Sequence, residues 1–159
     1  ISPLFNGGRV PKHLIKAACL LHDVSWRAHP DYRAEVCFDN ATRGNLGGID
    51  HEGRIFLGLA LLHRYRNARP GNRIEPLLGL ISPKMTKQAE ILGKAMRFGA
   101  MFSVAAPDRL GTLRHRPKRQ ELELVLPPSS AALYGEVAAA RLTSLAQALD
   151  AEKIVKFTK

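Results

Sequence analysis

Acidic side chains, cysteines, aromatic rings and long apolar runs are all scarce in this chain, and each shortage removes a class of protein. The two cysteines, Cys19 and Cys37, sit inside helix-like apolar patterns with no C-x-x-C spacing. That excludes a disulfide-stapled framework and a cysteine-held zinc site, and it suits a reducing, cytoplasmic setting. The longest apolar stretch runs from Ile55 to Leu62, far short of the roughly 20 residues that cross a bilayer, so no membrane association is expected. No secretory leader pattern is visible, and a start at Ile1 with an irregular lead-in to Val10 creates the expectation of a piece excised from a longer chain. Aromatic residues make up 6% and no helix-turn-helix, RNP or glycine-clamp pattern occurs. Nucleic acid is therefore not the expected partner.

What the chain has in excess is positive charge. Against 14 acidic residues stand 24 Lys and Arg, a formal net charge of +10 on 159 residues. An imbalance of this size favours a polyanionic partner, although a merely solubilising surface would show the same total. The basic residues are not evenly spread. Arg64, Arg66, Arg69 and Arg73 gather at the end of one helical pattern, and Arg114, Arg116, Lys118 and Arg119 crowd around a turn. Arginine forks match phosphate oxygens bidentately, so these two runs are the candidate polyanion-binding residues.

Periodicity divides the chain into an α-helical part, about residues 10–106, and a small sheet with one helix, about residues 110–158, read together as a single domain over 1–159. Pro11 suits a first helical turn, and Leu14, Ala18 and Leu21 continue a stripe to about Val24. A second helix is expected from Asp31 to about Thr42 with Tyr32, Val36 and Phe38 to Asn40 near its buried side. A third is N-capped by Asp50 and carries Ile55, Phe56, Leu59, Leu62 and His63 on its apolar face. Glu75–Ile81 reads as a short helix, and Ser82-Pro83 opens a long one reaching about Ser103. Thr112–His115, Gln120–Leu126 and Lys153–Phe157 read as strands of one small sheet. Ser129 or Ser130 is expected to cap the intervening alanine-rich helix, with Leu133, Val137, Leu142, Leu145 and Leu149 turned inward.

The chemistry-bearing feature is His22-Asp23, at the end of the first helix, followed by His29. A hydrolytic metal site built on such a pair needs a further His from an earlier helix and an Asp from a later one. The long helix Met85–Ser103 offers only Glu90, Asp108 falls beyond it, and His13 shares the helix of His22. No complete site is expected, so His22, Asp23 and His29 are read as vestigial. The less favoured alternative is a residual metal-dependent phosphohydrolase acting on nucleotides or phosphate esters.

The order L-L-H-D-V-S at Leu20–Ser25, then His29, then L-H-R-Y-R at Leu62–Arg66, a basic loop, a long helix and a terminal β-α-β piece resembles the C-terminal HD-like region of bacterial exopolyphosphatases and guanosine pentaphosphate phosphohydrolases. The resemblance covers about Val10 to Phe157 and implies a mainly α fold, an HD-like helical bundle with a small α+β C-terminal element. It further implies upstream actin-like domains in the parent chain that carry Mg-dependent phosphoanhydride hydrolysis. No cofactor is implied for this domain itself, polyphosphate or guanosine pentaphosphate is implied as the bound anion, and a homodimer is expected. Three positions depart from the pattern: Glu35 and Arg66 stand where it carries histidine, and Ala100 where it carries an acid.

Overall fold

A computed structural model describes residues 10–67, 70–102 and 111–158. Packing divides them into a helical unit ending at Met96 and a second unit beginning at Arg97. The chain is mainly helical with a small three-stranded sheet towards its C-terminus.

The helical unit holds α1 (Lys12–Leu21), α2 (Pro30–Arg43), α3 (His51–Tyr65), the single turn α4 (Glu75–Leu78) and most of α5 (Pro83–Gly99). Asp50 caps α3 as expected, its Oδ1 accepting from Gly53 N–H at 2.8 Å, and Ser82 Oγ accepts from Met85 N–H at 3.2 Å at the start of α5. The apolar stripe foreseen on α3 is an underestimate: Ile55 through His63 are all buried. A helix that is apolar all round must be surrounded, and α3 is the axis of the unit.

Glycine lets its neighbours come close. A Cβ on Gly58 would stand 2.8 Å from the Phe38 ring of α2. One on Gly93 of α5 would collide with the Ala60 carbonyl oxygen and the His63 Cβ of α3. Ala34, Cys37, Phe38 and Ala41 form the buried side of α2. Tyr32 is 65% exposed, contrary to its expected place on that side, because it lies about half a turn around the helix from the stripe that Ala34, Cys37 and Ala41 define.

In the second unit β1 (Thr112–Arg116) pairs antiparallel with β2 (Glu121–Leu126), which pairs parallel with β3 (Glu152–Phe157). The parallel pair is joined through α6 (Glu136–Ala148), as a crossover requires. Leu122, Leu124 and Leu126 are buried at strand period on the face towards α6, since Lys153, the register partner of Leu122, donates to Thr143 Oγ1 of α6 at 2.9 Å. Ser129 and Ser130 do not cap α6. Pro128–Leu133 coils into a 3₁₀ turn that closes on Tyr134, and α6 restarts after extended Gly135 without a side-chain cap. That interruption leaves Leu133 and Val137 exposed, while Leu142 and Leu145 are buried as expected. The far end of the expected long helix, at Ser103, and Asp108 lie outside the described residues.

Replacing Gly93 with Ala is expected to destabilise the unit by about 1–3 kcal/mol, because backbone on one side and the His63 stem on the other must both give way. Gly47→Ala, where an added Cβ meets nothing within 4 Å, should stay within about 0.5 kcal/mol of the parent. Thermal unfolding followed by circular dichroism separates the two; equal midpoints would overturn the close α3–α5 approach.

Candidate functional site

The connection from α1 to α2 is held from three directions. Tyr65, at the end of α3, places its hydroxyl 2.8 Å from the His22 carbonyl oxygen and 2.9 Å from Asp23 Oδ1. Burial first, and the Asp23 carboxylate second, push this phenol up to about 12, so it stays a donor at every physiological pH. The Arg33 guanidinium donates to the carbonyls of Trp26 at 2.7 Å and Ala28 at 3.1 Å, and Asn40 Nδ2 donates to Ser25 Oγ at 3.0 Å. The turn is stitched onto α2 and α3 by hydrogen bonds.

His22, Asp23 and His29 are each engaged separately. His22 Nδ1 donates to the Cys19 carbonyl at 2.8 Å, Asp23 accepts from Tyr65, and His29 Nδ1 accepts from Asp31 N–H at 3.3 Å at the start of α2. Among the described residues, no three His, Cys, Asp or Glu side chains form a group able to hold a metal ion. His22, Asp23 and His29 are each engaged with their own neighbours rather than with one another.

Glu35 and Arg66, the two departures at expected histidine positions, pair with each other at 3.2 Å. Arg73 joins them, 2.9 Å from Asp39 Oδ1 and 3.9 Å from Glu35, and Arg43 reaches Asp39 at 3.9 Å. These half-exposed pairs contribute little individually, about 0–1 kcal/mol each. Their electrostatic consequence is larger, since Arg66 and Arg73 are already matched by carboxylates. Arg64 is half-buried, its guanidinium 4.8 Å from the Tyr65 ring centroid and its Nε buried without a partner. Arg69 lies outside the described residues.

The second cluster is disposed differently. Arg116 is tied to Glu123 at 2.8 Å and Glu121 at 3.5 Å. Glu123 also receives Lys156 Nζ of β3 at 2.6 Å, and its carboxyl is held below the usual range chiefly by that hydrogen bond. Only 4% of the Glu123 side chain is exposed, yet what covers it is two flexible cations rather than packed apolar groups. Arg114, Lys118 and Arg119 are exposed, and no ion pair joins them to a carboxylate among the described residues. Arg116, Pro117, Lys118 and Arg119 line an open depression of about 780 Å³. Lys156 escaped sequence reasoning because the β2–β3 register that sets it beside Glu123 is not readable from periodicity. Glu123, set between two leucines inside β2, was the available signal that a cation must come to meet it.

A further polar group is buried between α3 and α5. His63 is 6% exposed and its Nδ1 has no partner, while Lys94 Nζ meets Glu90 Oε1 at 2.6 Å nearby. Burial pushes the His63 imidazole below its ordinary value, outweighing the opposing pull of Glu90.

The helical elements and most of the terminal sheet lie within one stretch of recognised homology. The family described as "Exopolyphosphatase, C-terminal" matches residues 11–155, nearly the whole chain, and the protein belongs to that family. No curated protein matches the chain. Among the described residues, no helix is long and apolar enough to cross a membrane.

The pH dependence of stability follows from His63. Its folded-state value lies below that of the unfolded chain, so on acidification the unfolded state takes the proton first. Stability attributable to this group is complete above about pH 6.5 and is lost as pH falls below it. Between about pH 7.5 and about pH 5.5 the parent should lose more thermal stability than His63→Leu. Parallel curves would remove His63 as the origin.

Proposed function

We propose that the chain is a non-catalytic accessory domain of an exopolyphosphatase-like phosphoanhydride hydrolase, holding polyphosphate or guanosine pentaphosphate on a basic surface. Family membership supports a C-terminal domain of such an enzyme. The observation that carries the binding role is the set of exposed cations at the β1–β2 turn, Arg114, Lys118 and Arg119, which form no ion pair with a carboxylate among the described residues while lining or flanking an open depression. The arginines at the α3 end contribute less, because Glu35 and Asp39 satisfy Arg66 and Arg73. Mg-dependent chemistry, and actin-like domains to perform it, belong on this reading to the parent enzyme, in a cytoplasmic setting. The competing reading, a residual metal-dependent phosphohydrolase, is not favoured by a geometry in which His22 and Asp23 serve the turn.

A homodimer is part of the same proposal. Leu20, Val24, Trp26 and Tyr32, in or beside the turn that joins α1 to α2, expose large apolar surfaces that a second copy would cover. Sedimentation of the parent and of Trp26→Ser is expected to show self-association weakened in the variant; a parent that stays monomeric at high micromolar concentration removes the dimer.

The binding role is tested by retention on immobilised polyphosphate across a salt series. Retention is expected at low salt and should vanish as salt rises, by counterion release. The pair Lys118→Gln and Arg119→Gln should weaken low-salt binding by about tenfold or more, each phosphate-contacting cation accounting for about 1 kcal/mol. Weak retention that is indifferent to salt would overturn the proposal.

A further inference from the structure

Resting on that polyanion reading, we infer that the β1–β2 turn reads a short run of about three phosphates, gains nothing from a longer chain, and is confined to that length by carboxylates of its own sheet. The cations available set the contact number. Of the eight basic residues marked in the sequence, Arg66 and Arg73 are matched on α2, Arg116 is matched by Glu121 and Glu123, and Arg69 lies outside the described residues. Arg64 is half-buried beside Tyr65 in the other unit. Arg114, Lys118 and Arg119 remain.

Reach agrees with count. From Arg114 to Arg119 the chain covers no more than about 18 Å even when fully extended, and the 3₁₀ turn Pro117–Arg119 shortens it. Strand alternation places Arg114 and Arg116 on the face of β1 opposite the leucines, with Glu121 and Glu123 beside them on β2 and Glu152 beyond on β3. An anion leaving the turn across that face finds Glu121 and Glu123 already holding Arg116 and Lys156, and beyond them the exposed carboxylate of Glu152. Lys156 and Arg116 together balance Glu123 and Glu121 without leaving surplus charge. Arg116 is here a positioning residue: its two carboxylate bonds fix it as the wall of the depression.

The test is titration of the 159-residue chain with inorganic tripolyphosphate and with long-chain polyphosphate, affinities expressed per bound protein, over a range of salt. With about 0.7 counterions released per contact, three cations give a log–log slope near 2, whereas eight would give a slope near 6. The two ligands are expected to agree within about threefold. Glu152→Lys, an exposed change that opens the sheet face, should tighten long polyphosphate while leaving tripolyphosphate nearly unchanged. A slope near 6, or long chain bound more than about tenfold tighter, overturns the inference in favour of an extended track. Loss of binding in Arg66→Gln or Arg73→Gln with retention in Lys118→Gln/Arg119→Gln places the site at the α3 end, overturning the inference while the polyanion reading stands. No binding of either ligand overturns both.

Discussion

Enclosure of α3 on every side is the constraint from which the helical unit is built. Leu57, Leu59, Leu61 and Leu62 point in different directions around the helix and all are essentially inaccessible. A helix of that composition has no face left for water, so α1, α2 and α5 must pack around it closely enough to exclude solvent. Gly58 and Gly93 permit that approach by removing side chains where the helices touch. The last turn of α3 is thereby fixed, and with it Arg64, Tyr65 and Arg66. Tyr65 and Arg66 reach the α1–α2 turn and α2 from that fixed position. The core therefore determines the polar architecture above it.

The net charge of +10 misleads if it is imagined as a uniform field. Acidic residues are few, yet Glu35, Asp39, Glu121 and Glu123 all stand against arginines named as anion ligands. Each such pair removes a cation from service at short range while leaving the total positive. Long-range attraction of a polyanion follows the total, and the place where it comes to rest follows the unmatched cations.

Much of the fold was legible because its signals are local. Asp50 and Ser82 announce helix starts through their own side chains, and the alternation of Glu121–Leu126 marks a half-buried strand within six residues. The errors fall where tertiary context intervenes. Of the residues expected near the buried side of α2, Phe38 is buried as expected but Tyr32 is not, because the buried face follows Ala34, Cys37 and Ala41. Ser130 looked like a cap, but Gly135 offered a later and less constrained start for α6. For the candidate site, sequence supplied the cations and missed their partners, since Arg66–Glu35 spans 31 positions and Lys156–Glu123 spans 33. Separations of that order carry no periodic signature.

Glu35 and Arg66 make the sharper point about the α1–α2 turn. Together they bond at 3.2 Å and join α2 to the end of α3. Tyr65 joins the same helix end to His22 and Asp23, and Arg33 joins α2 to the carbonyls of the turn. A metal ion ligated from these elements would draw together the same three pieces of backbone. Here hydrogen bonds and one ion pair perform that mechanical role, and His22 and Asp23 are bound into it as parts of the joint. The exposed charge of Arg114, Lys118 and Arg119 about the β1–β2 turn takes no part in that joint.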